Sequence, residues 1–145
     1  MSVAEVAELL GGSKVLGQRV SSQLKMADVV DEGLPTVSLN RVKLALGLSD
    51  AELGNALGIS LKTIHRLRKD PGRHLSSSAS DRLYRVARLF QLAVEVFEDS
   101  EAAREWLRSP QIGLDDRVPM DLMTSDAGSR EIEALLMRID YGVIS

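Results

Sequence analysis

Apolar residues recur at three- and four-residue spacing along most of the chain, and glycine, proline or serine clusters break that rhythm at short intervals. The pattern predicts a series of short amphipathic helices. Val3, Val6, Ala7 and Leu10 share one face of a first helix, which Gly11-Gly12 ends. A weaker segment covers Val15 to Val20. Leu24 to Asp31 reads as a helix with Leu24, Ala27 and Val30 inward, stopped by Gly33-Leu34-Pro35. The next helix, with Thr36 or Ser38 as its cap, runs to Leu46 with Leu39, Val42 and Leu46 inward.

After the Asp70-Pro71-Gly72 turn, His74 to Ser80 is polar and serine-rich and reads as a loop or hinge, with Ser80 capping a helix from Asp81 to Glu98. That helix carries the longest stripe: Leu83, Val86, Ala87, Phe90, Ala93, Val94 and Phe97. Ser100 caps a short helix from Glu101 to Arg108. Gln111 to Met123 is less regular. Thr124 or Ser125 caps a last helix with Ile132, Leu135, Leu136 and Ile139 inward, Gly142 ends it, and Val143-Ile144-Ser145 forms a short apolar tail. No segment alternates apolar and polar as a strand does, so the expected fold is all-α.

The most informative stretch is Leu48 to Lys69. Ser49 with Glu52 three residues on is a capping box. Leu53, Ala56 and Leu57 line one face, Gly58 suits the left-handed residue that closes a helix, and Ser60 can cap a second helix with Ile64 and Leu67 inward. Gly54 is small where the two helices should cross. Two helices at a steep angle about a short glycine-containing turn make a helix-turn-helix. Lys62, Thr63, His65, Arg66, Arg68 and Lys69 are left on the outer face, with Ser60 at its start. These cations and donors are the types that meet phosphates and base edges in the major groove.

Charge distribution strengthens that reading. The net charge is −3, but residues 41–90 hold 10 basic and 4 acidic side chains (+6), residues 1–40 carry −2, and residues 91–145 carry −7. Basic charge centred on the helix-turn-helix favours phosphate binding by counterion release, and the acidic C-terminal third is expected to meet a different partner. No cysteine is present, which excludes disulfides, thiol nucleophiles and cysteine-held zinc. No apolar run approaches the ~20 residues of a membrane span, and the first residues lack the basic region of a signal peptide. A cytoplasmic protein with no membrane partner is expected.

Several motifs in this order resemble one family: Gly33-Leu34-Pro35, the helix-turn-helix with Thr63-Ile64-His65-Arg66, Trp106-Leu107 through Pro110, Pro119-Met120-Asp121-Leu122, Thr124 to Gly128, and Arg138-Ile139-Asp140-Tyr141-Gly142. The chain from Gly33 onward resembles the Xre-type antitoxins with an MbcA/ParS/Xre toxin-binding domain, which pair with NAD-destroying RES-domain toxins. The resemblance implies a three-part organisation: residues 1–40 as a helical dimerisation segment, 41–75 as the DNA-binding helix-turn-helix, and 76–145 as the toxin-binding domain. It implies that Lys62, Thr63, His65, Arg66, Arg68 and Lys69 engage operator DNA. It also implies that Met120, Leu122, Arg138 and the final Tyr141, Gly142, Val143, Ile144 and Ser145 face a cognate toxin, the tail blocking substrate entry. The chain would act as antitoxin and autorepressor. A homodimer is expected on physical grounds too, because paired helix-turn-helix units read half-sites about 34 Å apart with matching two-fold symmetry.

The remaining residues take plainer readings. Trp106 reads as core and, apart from the resemblance, Tyr141 as a helix-end packer. Arg82, Arg85 and Arg88 either extend the DNA-facing surface or only solvate their helix. Ser76-Ser77-Ser78 reads as a flexible loop, and Asp115, Asp116 and Asp121 as solvated or capping carboxylates. No nucleophile, base and oxyanion site assembles, so no enzyme activity, cofactor or metal is expected. Two rival readings are a stand-alone helix-turn-helix repressor without a toxin, and a small hydrolase or metal enzyme built on the three aspartates.

Overall fold

The longest apolar stripe becomes the spine of the molecule. In the structure, a computed structural model describing residues 1–142, α7 (Ser77–Phe97) buries Leu83, Val86, Ala87, Leu89, Phe90, Leu92 and Ala93. Six other helices lean on it. The N-terminal α1 (Val3–Leu9), α3 (Gln23–Glu32) and α4 (Val37–Leu46) pack against it, with α2 (Gly12–Leu16) joined to α1. So do α5 (Asp50–Leu57), α8 (Ser100–Leu107) and α10 (Asp126–Asp140). α6 (Leu61–Arg68) rests on α4 and α5, and the short α9 (Pro119–Leu122) links α5, α8 and α10. Among the described residues there is no strand, and the all-α expectation holds. Leu10, Met26, Leu39, Leu53, Ile64, Leu83, Leu107 and Met123 are each almost wholly buried in one continuous core.

Three local expectations are corrected. Ser76, Ser77 and Ser78 are not a loop: Ser76 caps α7, its Oγ accepting from the Ala79 N–H at 3.1 Å, and the helix starts four residues before the expected Asp81. Ser80 is instead buried inside the first turn, where its Oγ accepts from the Leu34 N–H at 2.7 Å. Thr36 stands at the N-cap position of α4, but neither it nor Ser38 caps with its side chain; their hydroxyls donate to the carbonyls of Asp70 (2.7 Å) and Leu10 (2.6 Å). In α3 the inward residues are Met26, Val29 and Val30, while Leu24 is 81% exposed and Ala27 also faces outward. Leu24 and Met26 lie two residues apart, about 200° around a helix, so only one of them can face the core.

Smaller shifts have local causes. Asp99 rather than Ser100 caps α8, accepting from the N–H groups of Glu101 and Ala102. The weak second segment folds as α2, earlier than expected, and Gly17 closes it. Ser125 does cap α10, from Gly128 at 3.0 Å. Trp106 is half-buried and stacks at a tilt on Phe97, ring centroids 5.6 Å apart.

Candidate functional site

The helix-turn-helix is built by its caps. Ser49 and Glu52 form the expected reciprocal box: the Ser49 Oγ accepts from Glu52 N–H at 3.1 Å, and Glu52 Oε1 accepts from Ser49 N–H at 2.9 Å. Gly58 ends α5 at φ 67°, and the Ile59 N–H returns to the Gly54 carbonyl at 2.8 Å. A Cβ on Gly54 would lie 2.6 Å from the Ile59 carbonyl oxygen, so only glycine lets the turn close onto α5. Ser60 then caps α6, accepting from Thr63 N–H at 3.2 Å, and its hydroxyl donates to the Thr63 Oγ1 at 2.9 Å. Ile64 and Leu67 are buried beneath.

This packing turns Lys62, His65, Arg66 and Lys69 outward on one helical face. Thr63 is half-buried at its edge. Arg68 departs from the outward-facing expectation. It sits at the margin of the buried stripe, four residues after Ile64, and turns back into the fold. Its Nη1 donates to both Asp50 oxygens, at 2.6 and 2.7 Å, and its Nε donates to Asn40 Oδ1 at 2.6 Å. Asp50, 18% exposed at the first position of α5, also meets His65 Nε2 at 3.1 Å and Lys43 Nζ at 3.7 Å. Arg68 therefore ties α6 to α4 and α5. Nothing local in the sequence pointed to Asp50 or Asn40, because the partners lie 18 and 28 residues away from Arg68.

The three arginines of α7 separate. Arg82 donates to the Leu57 carbonyl at 3.1 Å beside the helix-turn-helix. Arg85 pairs with Asp81 one turn back at 3.1 Å. Arg88 makes a two-pronged bond to Glu133 of α10, at 2.9 and 2.6 Å. The Arg88 guanidinium holds the Glu133 carboxyl below its ordinary range, and Glu133 raises Arg88 in turn. Glu52 is likewise lowered, first by the Ser49 backbone N–H and then by Arg108.

The C-terminal candidates are spread out. Met120 and Leu122 are half-buried and packed on the core at α9. Arg138 is half-buried on α10, whereas Tyr141 is 75% exposed and Gly142 is exposed beside it. Val143, Ile144 and Ser145 lie outside the described residues. The C-terminal part is bonded to the end of α4 and to α5. Arg104 donates to the Ala45 carbonyl at 2.9 Å, Arg108 donates to Glu52 at 2.6 Å and to the Gly47 carbonyl, and Thr124 Oγ1 donates to the Asn55 carbonyl at 2.6 Å. Asp115, Asp116 and Asp121 are exposed, and no cluster of metal-ligating side chains occurs among the described residues. No described helix is long and apolar enough to cross a membrane.

Comparison with known proteins accounts for both halves. The antitoxin Xre-like helix-turn-helix domain model matches residues 25–88, and the antitoxin Xre/MbcA/ParS C-terminal toxin-binding domain model matches residues 92–142. The chain belongs to the Xre/MbcA/ParS antitoxin family. The antitoxin is 28% identical over 131 residues to the antitoxin Xre of Yersinia enterocolitica, a match covering 90% of this chain and 88% of the relative. It is 23% identical over 133 residues to that of Photorhabdus laumondii, covering 91% and 89%. A shorter match of 85 residues to that of Pseudomonas putida is 32% identical and covers 58% of this chain and 52% of the relative. Among solved structures, a chain of the M. tuberculosis MbcT–MbcA toxin–antitoxin complex superposes with a TM-score of 0.57 at 25% identity, covering 76% of the antitoxin and 96% of that chain. The two matched regions meet on α7, which packs against elements of both.

Proposed function

We propose that this antitoxin represses its own operon through α6 and neutralises an NAD-degrading RES-domain toxin by covering that enzyme's active site with its C-terminal segment. The observation that carries the reading is the pairing, in one chain, of an outward basic helix on a capped helix-turn-helix with a region matching a toxin-binding domain and carrying −7. A positive face suits nucleic acid and an acidic one does not, so the two partners take different surfaces. The M. tuberculosis relative's crystallisation with a toxin supports a toxin partner here. Lys62, His65, Arg66 and Lys69, exposed together, are the residues proposed to meet the operator, with Ser60 and Thr63 at the helix start. Tyr141 and the residues after it are proposed to reach the toxin, and residues 1–40 to contribute to a homodimer on a two-fold operator.

The test is co-expression with the protein encoded next to it, followed by a pull-down and an NAD-consumption assay on that partner with and without the antitoxin. A stable complex with silenced NAD consumption supports the reading. A folded, NAD-consuming partner that neither binds nor is silenced refutes it.

A further inference from the structure

We propose that the cleft between α6 and the start of α7 is a seat for one backbone phosphate of duplex DNA, flanking the bases that α6 reads; the inference rests on α6 being a DNA-reading helix. The cleft, of about 290 Å³, is walled by Thr63 and Arg66 from α6, Arg73 and His74 from the connecting loop, and Ser78 and Arg82 from α7. Three of the eleven lining residues are arginines, and no carboxylate lines the space. The ion pairs among the described residues engage Arg68, Arg85, Arg88, Arg108 and Arg130, but neither Arg66 nor Arg73. Arg82 spends one donor on the Leu57 carbonyl, which fixes its position and leaves most of its five N–H groups available. Unneutralised guanidinium groups converging on one space are costly unless an anion completes it, and their fork geometry matches phosphate oxygens.

The fold assembles this space from a distance. The segment around Pro35 pairs antiparallel with that around His74, through Thr36 N–H to Arg73 O at 2.9 Å and Leu75 N–H to Leu34 O at 2.8 Å. That pairing holds the Arg73 loop and the first turn of α7 beside α6. Buried Leu67 and Leu75 form an apolar floor, which lowers the local dielectric and strengthens each charge contact. The first-turn N–H groups of Ser77 and Ser78 have no partner within the helix and add donors on the same side. A helix lying in the major groove has phosphates on both flanks, so an anion seat adjoining α6 falls where the backbone runs. α7, the spine shared with the toxin-binding region, would then touch DNA directly.

The experiment measures fluorescence anisotropy of the full chain on two duplexes, the region upstream of its own gene and a scrambled version, across a salt series. R73Q is expected to weaken binding about tenfold on both duplexes, with the log–log salt slope smaller by about 1; R73K should restore most of the slope. Ser78→Asp adds an acid to the first turn of α7, which favours the helix, so its unfolding midpoint should stay level or rise while DNA binding falls at least as far as in R73Q. Wild-type binding by R73Q and Ser78→Asp overturns the proposal. So does a loss confined to the cognate duplex with an unchanged salt slope, which marks a base contact. If the wild-type chain binds neither duplex, the DNA-reading role of α6 itself fails, and the phosphate seat fails with it.

Discussion

Asp50 offers the most discriminating test of how α6 is held. Its carboxylate receives Arg68 at 2.6 and 2.7 Å and His65 at 3.1 Å, with Lys43 at 3.7 Å. Asp50→Ala removes all of these and leaves Arg68, 30% exposed, without its ionic partner. A hydrogen bond to a charged group contributes about 1.5–3 kcal/mol, a fully exposed pair about 0–1, and breaking a fully buried pair costs about 3–5. The intermediate exposure of both partners places this loss at about 2 kcal/mol. An acid at the first position of α5 also favours the helix dipole by about 0.3–1 kcal/mol. For a chain of this size the two losses together lower the melting temperature by about 5–12 °C at roughly 2–4 °C per kcal/mol. A double-mutant cycle with Arg68→Ala should show coupling of about 1–3 kcal/mol.

The same substitution separates two accounts of DNA binding. Removing a carboxylate from a basic face strengthens long-range attraction to DNA, so simple electrostatics expects tighter binding. If the Asp50–Arg68–Asn40 bracket sets the angle of α6, binding to the specific duplex should weaken even though net charge rises. Urea titration followed by circular dichroism gives the stability change, and anisotropy on the upstream duplex gives the affinity. An unchanged urea midpoint together with tighter DNA binding would refute the bracket.

Other expectations follow from the same geometry. Gly54→Ala should destabilise by about 1–3 kcal/mol in urea unfolding, because its Cβ meets the Ile59 carbonyl at 2.6 Å; helix propensity alone expects the opposite sign by about 1 kcal/mol. Glu52 and Glu133 have folded-state pKa values below their ordinary value of 4.5. Their stabilisation is therefore fully present above that value and is lost as pH falls through the depressed ones. The urea midpoint should show no contribution from them between pH 7 and 5 and should fall in more acidic buffer, less steeply in Glu133→Gln. Truncation after Asp140 should weaken toxin neutralisation while sparing operator binding, measured by NAD consumption and anisotropy; equal loss of both in a folded truncation would count against the separate surfaces.

What the sequence made legible was whatever is decided within a few residues. The Ser49–Glu52 box, the Gly58 stop, the Ser60 cap and the Ile64–Leu67 stripe depend on offsets of three or four, and all occur as expected. The small residue at Gly54 was readable because the turn that approaches it is only five residues on. Ser76 and Ser80 show where this ends. Both are serines near the start of α7, but Leu34, 46 residues before Ser80, needs an acceptor for its buried N–H and takes Ser80. The cap then falls to Ser76, and the apparent hinge becomes helix. Leu24 failed for a related reason: α3 carries two competing apolar stripes, and the packing of α3 on α7 selects Met26, Val29 and Val30. Of the site residues, the exposure of Lys62, His65, Arg66 and Lys69 follows from periodicity, whereas the inward turn of Arg68 depends on an acid delivered by another helix.

The long-range contacts have a common logic. Helices α4 and α5 end in carbonyls that no residue of their own helix can satisfy. Ala45, Gly47, Asn55 and Leu57 lie at these ends, and each carbonyl accepts from outside: from Arg104 and Arg108 of the α8 region at the end of α4, and from Thr124 and Arg82 at the end of α5, Asn55 taking Thr124 in addition to the capping Gly58 N–H. Three of these four donors are cations, which also oppose the negative ends of the two helix dipoles. Three of the four come from beyond residue 90, outside the helix-turn-helix match. The two helices that support α6 are thus completed by the region that matches the toxin-binding domain. Any partner that shifts α8 or the Thr124 segment would act directly on the frame of α6, without a relay through the core.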